Sequence, residues 1–160
     1  MKKIFWNSWI TNFLFSTYST IALGPFVFTK YKKDEIVDNK KQYLINHECT
    51  HAQQWSELFI LTAIILFFID IFLGNSLNLA WYLFAPTMFY ILYVIEHFVK
   101  MIVYKKKKEC KYLPKYSTNK TAFYKAYRSL SYEIEARASE YDNNFLENRK
   151  YFGEFKYLFH

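Results

Sequence analysis

Glycine and proline are scarce, at three each in 160 residues. With so few turn-formers, helices should dominate. Cysteine is scarcer still, with Cys49 and Cys110 the two. No C-x-x-C occurs, which excludes a disulfide framework and is compatible with a reducing compartment. A clear secretory leader is also lacking. The N-terminus opens with two lysines and an apolar run, but Asn7, Ser8, Thr11 and Asn12 interrupt it and no small-x-small cleavage site follows. The length accommodates one domain and argues against several.

Apolar and aromatic side chains are in excess. Hydrophobic residues make up 52% and aromatics 22%, with 17 Phe and 15 Tyr, far above an average soluble domain. Net charge is +7. Because the positive charge sits beside apolar stretches, it points to an anionic membrane surface and not to nucleic acid.

Along the chain, residues 4–16 read as a short amphipathic helix rich in Trp and Phe, lying at a membrane interface, with a full span as the weaker alternative. Residues 17–30, "TYSTIALGPFVFTK", read as a bent strand or hairpin broken at Gly24-Pro25. A charged segment follows, with Asp38 or Asn39 as helix N-cap. From 40 to 74 the pattern is one helix that runs through Tyr43, Leu44, His47, His51 and Trp55 into an apolar stretch, 58–74, whose one charge is Asp70. "NSLN" makes a turn, and 79–95 carries no charge, with apolar residues resuming to Tyr104. Each run has about 17 residues, near the lower limit for a membrane span. A buried hairpin in a soluble protein is the alternative, but a chain this short has too few other elements to cover two helices that are apolar all round.

Charge sets the orientation. Lys30, Lys32, Lys33, Lys40 and Lys41 precede the first span, and Lys100, Lys105, Lys106, Lys107, Lys108 and Lys111 follow the second, whereas the turn at 74–78 has none. By the positive-inside rule both termini face the cytoplasm. The run Lys105 to Lys108 reads as a topology anchor without a ligand. Residues 112–119 are a loop, 120–150 a long helix, and the aromatic tail "YFGEFKYLFH" docks on the interface or folds back on the domain.

Two of the four histidines fall in "INHECTHAQQW", residues 45–55. His47 and His51, at i and i+4, share one helix face and can reach one ion, with Glu48 placed to hold a water. HECTH is the zinc-hydrolase pattern H-E-x-x-H. Catalytic zinc takes three protein ligands and an open position. The carboxylate cluster on a late helix is "LSYEIEARASEYD", residues 130–142. There Glu133, Arg137 and Glu140 share a face and Glu135 points away. The second span returns the chain to the same side of the membrane, so this helix can cross the motif helix. Cys49 lies off the ligand face and reads as a packing thiol.

"HECTH" followed at a distance by "YEIEARASE" resembles the gluzincin branch of zinc peptidases. The resemblance implies that the third ligand is the glutamate opening the E-x-x-A pattern, Glu133 in "EIEA". The integral-membrane members, of the Ste24/HtpX and BlaR1 sensor types, also insert membrane helices between motif and ligand. The chain is similar as well to small bacterial membrane proteins in which a "T-x-x-G-x-x-F/I-x-F" stretch precedes the motif and an E-x-E-A segment follows it; here the corresponding parts are "TIALGPFVF", with its glycine four positions after the threonine, "HECTHAQQ" and "YEIEAR", within residues 17–142. Gluzincins often keep an aspartate four after the ligand glutamate to support a zinc histidine. This chain has Arg137 there, and Arg137 is left to pair with Glu140 or a substrate carboxylate.

The implied architecture is mostly α, a single membrane-associated domain over 1–160. A membrane helical hairpin is inserted into a minimal zincin-like core, and the short strand or hairpin lies over the motif helix. The implied activity is zinc-dependent peptide hydrolysis at the cytoplasmic membrane surface, with Zn2+ on His47, His51 and Glu133 and Glu48 as general base. Tyr141, Tyr132 and His97 are candidates to face the developing oxyanion. His97 beside Glu96 also reads as a plain interface pair, and any tyrosine in so aromatic a chain also reads as packing. "IALGPFVF" can take substrate as an added strand, or simply contact the membrane. Gln53 and Gln54 are assigned no catalytic part, though either can tie the site to the N-terminal segment. Expected partners are a peptide or protein substrate, the bilayer, and a second copy or membrane partner. Other readings remain: a zinc site with a structural or sensing role, a di-iron carboxylate protein, for which Glu48 and His51 supply only one Glu-x-x-His unit, and a basic membrane adaptor without metal.

Overall fold

Strands come first, although helices dominate. The computed structural model describes residues 3–38, 41–107, 109–114, 116–142 and 144–158. Lys3–Phe5 is strand β1 and Trp9–Phe13 is helix α1, where the sequence reading placed one helix over 4–16. Ile4, Phe5 and Trp6 suit a strand, and β3 captures the main chain of β1. Asn7, at φ 47°, turns the chain out, and Ser8 then caps α1 by accepting from Ile10 N–H. Helix α1 leaves Trp9, Phe13 and Leu14 exposed.

Thr20–Leu23 (β2) and Phe26–Thr29 (β3) form an antiparallel hairpin, with Leu23 opposite Phe26. Two residues, Gly24-Pro25, close it. Gly24 sits at φ +60°, and proline holds its own φ negative, so the loop is of the type II′ kind that suits strand twist. β1 pairs in parallel with β3, and the sheet order is β1-β3-β2. Lys33–Asp38 is α2. Asn39 and Lys40 lie outside the described residues, as does Lys108. Gln42–Phe72 is one helix, α3, followed by Leu79–Tyr82 (α4) and Phe84–Lys106 (α5). Ala122–Arg128 (α6), Ser131–Ser139 (α7), Phe145–Asn148 (α8) and a 3-10 turn at Gly153–Tyr157 complete the chain.

The chain divides into two compact units: Met1–Glu57 with Ala136–Tyr151, and Leu58–Glu135 with Phe152–His160. In the first, the sheet packs on the start of α3. Val27, Ile36, Ile45, Cys49 and Ala52 form its core, with Ile4, Trp6, Ala22 and Tyr31 against it. Each such aliphatic side chain contributes roughly 1.5–3 kcal/mol when fully buried. Gly24 lies against the Trp55 ring, so the hairpin tip rests over the motif helix. The segment after Ala136 is laced along the same helix. Thr50 Oγ1 donates to Ser139 Oγ at 2.7 Å, Asn46 Nδ2 donates to the Glu140 carbonyl at 3.1 Å, and Arg149 pairs with buried Glu57.

In the second unit, the apolar half of α3 and most of α5 turn large hydrophobic side chains outward. Mean hydropathy in their most apolar windows is 2.1 and 1.3, yet only 22% and 11% of those windows is buried. Core helices of a soluble protein would be covered, so these two membrane-length helices support an integral-membrane location. Asp70, the one charge in the first run, holds the turn between them, accepting from Leu77 N–H at 2.9 Å and Tyr82 OH at 3.0 Å.

The late helix expected over 120–150 is broken, and the cause lies on α5. Glu96 accepts from both the Ser131 N–H (2.9 Å) and its hydroxyl (2.8 Å), giving α7 a fresh, charge-stabilised N-terminus. Lys100 pairs with Glu96 at 2.9 Å and donates to the Ser129 carbonyl. The tail folds back within this unit, with Glu154 fully buried. A Cβ at Gly153 would overlap Glu135 Oε1 and stand 3.1 Å from Glu135 Cδ. Gly153→Ala should therefore cost roughly 1–3 kcal/mol, read as a lowered melting temperature in detergent. Combining it with Glu135→Ala should restore part of that loss, and full additivity of the two changes would contradict the clash.

Candidate metal centre

Helix α3 sets the two imidazoles one turn apart on one face. Their Nε2 atoms stand 3.2 Å from each other. Each ring is held by its other nitrogen. His47 Nδ1 lies 3.1 Å from Glu140 Oε1, and His51 Nδ1 lies 2.9 Å from Gln54 Oε1. A carboxylate and an amide oxygen accept, so these contacts suit the tautomer with the proton on Nδ1, which in a neutral ring leaves Nε2 bare. Two bare lone pairs at that separation repel unless an electrophile lies between them. Two ligands of a tetrahedral ion at zinc–nitrogen distance are about 3.3 Å apart, so the donor pair fits.

The third group is on α7. Glu133 is 3% exposed, and its Oε1 accepts from the Tyr93 hydroxyl at 2.9 Å. His47, His51 and Glu133 make a grouping consistent with metal binding. Glu48 is half-buried on α3, one position beyond His47. Cys49 is buried in the core cluster with Val27, Ile36, Ile45 and Ala52.

The remaining candidates have distinct settings. Tyr141 is exposed and stacks on Tyr43, ring centroids 5.9 Å apart. Tyr132 is buried against Phe89 and Tyr93. Burial pushes its phenol well above the usual range, and the charges of Glu154 and Glu96 add to this, so it is a donor at neutral pH. His97 packs edge-on against Phe123 at 4.6 Å, and its buried Nε2 has no hydrogen-bond partner among the described residues.

Three residues escaped the sequence reading. Glu140 serves His47, where Arg137 had been its expected partner; its place two turns after Glu133 on one face was the available signal. Gln54 serves His51 across an i, i+3 step that is visible in "HAQQ". Tyr93 had no local signal, being one tyrosine of fifteen. Loss of an outer partner of this kind lowers metal affinity about 10–100-fold. Glu140→Gln should weaken zinc binding by that amount in a competition titration with a chelating dye, with helix content unchanged. An unaltered affinity would deny Glu140 the role. No protein-family model, curated protein or solved structure matches this chain.

Proposed function

We propose that the protein is a membrane zinc metallopeptidase of the gluzincin type, with His47, His51 and Glu133 as ligands and Glu48 as general base. The observation that carries this is the pair of Nε2 atoms 3.2 Å apart with both Nδ1 atoms engaged, on a helix that reads H-E-x-x-H. Zinc, when bound, lowers the pKa of a water toward neutrality and polarises a carbonyl. The rest falls to the chain. Glu140 and Gln54 fix the tautomer and aim of the two rings. Tyr93 orients the Glu133 carboxylate. Glu48 takes the water's proton and returns it to the leaving amine. The attacked carbonyl oxygen gains negative charge and needs a donor; Tyr132, Tyr141 and His97 are the candidates, and Tyr132 stays protonated for that purpose.

The lysines flanking both spans support a site and termini on the cytoplasmic side of the membrane. The hairpin over Trp55 offers a strand edge for an extended peptide, which supports main-chain recognition with little sequence demand. Substrate is thus a peptide or unfolded protein segment near the bilayer, and the exposed spans provide a surface for a second copy or a membrane partner. A structural or sensing zinc site is the second reading, favoured by the burial of His51 (9% exposed) and Glu133, since closed sites tend to be structural. Chelation separates them. A peptidase stripped with phenanthroline should stop cleaving a casein-type substrate and recover on adding one equivalent of zinc, whereas continued cleavage without metal would refute it. A protein that never cleaves, yet melts at lower temperature when stripped, would be the structural case.

A further inference from the structure

A cavity of about 910 Å³ opens in the second unit at the lysine-rich end of α5, and the chemistry above makes no use of it. Lys107, Lys111, Lys120 and Lys125 line it, and Glu109 is the one carboxylate among its described lining residues. Lys100 also reaches it, but its charge is taken by Glu96. One wall is apolar. Val99 and Val103 contribute it, and both are half-exposed on the outward face of α5, at 55% and 49%. Other lining residues are tied down. Cys110 Sγ donates to the Lys125 carbonyl at 3.7 Å, and Arg128 Nε donates to the Tyr112 carbonyl at 3.3 Å, so the connecting segment is fastened to α6. The cavity therefore joins a cationic lining to a hydrophobic face at the end of a membrane-length helix.

Free phosphate matches the lysines but makes no use of Val99 and Val103. Zwitterionic lipid matches the valines but brings a compensating cation. We propose that this cavity binds the phosphate headgroup of an anionic phospholipid, with acyl chain laid along the Val99–Val103 face of α5. The site rests on the span and its lysines and is independent of the zinc reading. Lysines close to an anionic headgroup each add a favourable electrostatic contribution, and the lipid gives the loop after α5 a fixed anchor at the membrane surface.

The test uses the full chain in a neutral detergent. Phosphatidylglycerol, phosphatidylcholine or inorganic phosphate is added, and bound molecules are counted by native mass spectrometry. One phosphatidylglycerol per chain should be retained over phosphatidylcholine by roughly tenfold or more. That preference should fall to near unity in Lys111→Gln/Lys120→Gln. It should persist in Lys105→Gln/Lys106→Gln, whose lysines do not line the cavity. Circular dichroism should match wild type in both. Millimolar phosphate should leave the lipid in place. Equal retention of the two lipids by the wild type would overturn the proposal and needs no variant. Equal losses in both variant pairs would assign the effect to diffuse surface charge, and displacement by phosphate would assign the site to a free anion; either result overturns it.

Discussion

Glu48→Gln should hold zinc at the wild-type level, about one ion per chain, while peptide cleavage falls by about 10²–10⁴-fold. Glutamine keeps the size and the hydrogen-bonding oxygen of glutamate but cannot accept a proton at neutral pH. Glu48 lies outside the His47, His51, Glu133 grouping, so zinc content should not follow activity. Steady-state cleavage of a fluorogenic peptide, with metal analysis of the same sample, reads both. Unchanged turnover would remove Glu48 from the chemistry. Loss of zinc together with turnover would place Glu48 in the ligand set and require a different base.

The second large effect belongs to the far helix. Glu133→Ala removes a buried carboxylate that Tyr93 holds at 2.9 Å, and two imidazoles remain to grip the ion. Zinc affinity should then fall by more than the roughly 10–100-fold expected for an outer partner such as Glu140. Cleavage should become undetectable at stoichiometric zinc. Glu135→Gln is the comparison on the same helix: Glu135 abuts Gly153, so its loss should leave zinc in place. If the two variants bind zinc alike, α7 does not supply the third ligand.

These expectations rest partly on what spacing shows and partly on what it hides. Four residues are about one helical turn, so "HECTH" by itself puts two imidazoles on one face. Two apolar runs of membrane length are legible because lipid demands continuous apolarity. The hairpin is legible in Gly24-Pro25 flanked by β-branched and aromatic residues. Other features depend on contacts far apart in sequence. β1 exists because β3 offers a partner, and nothing near Ile4 announces that. α7 begins at Ser131 because Glu96, thirty-five positions earlier, accepts its N–H, so local propensity across 120–150 shows no break. Glu140 was visible as a face-mate of Glu133, but charge pairing suggested Arg137 for it, whereas the fold presents it with His47 Nδ1. Helix periodicity shows which side chains share a face, and tertiary packing decides which partner that face meets.

X-ray absorption at the zinc edge, on the purified detergent-solubilised chain, addresses the centre directly. One zinc per chain should be bound by two imidazole nitrogens, one carboxylate oxygen and one further light atom. The spectrum should change when Glu133 becomes alanine. No transition metal in the protein, a shell containing Cys49 sulfur, or a spectrum indifferent to Glu133→Ala would contradict a zinc ion gripped by His47, His51 and Glu133.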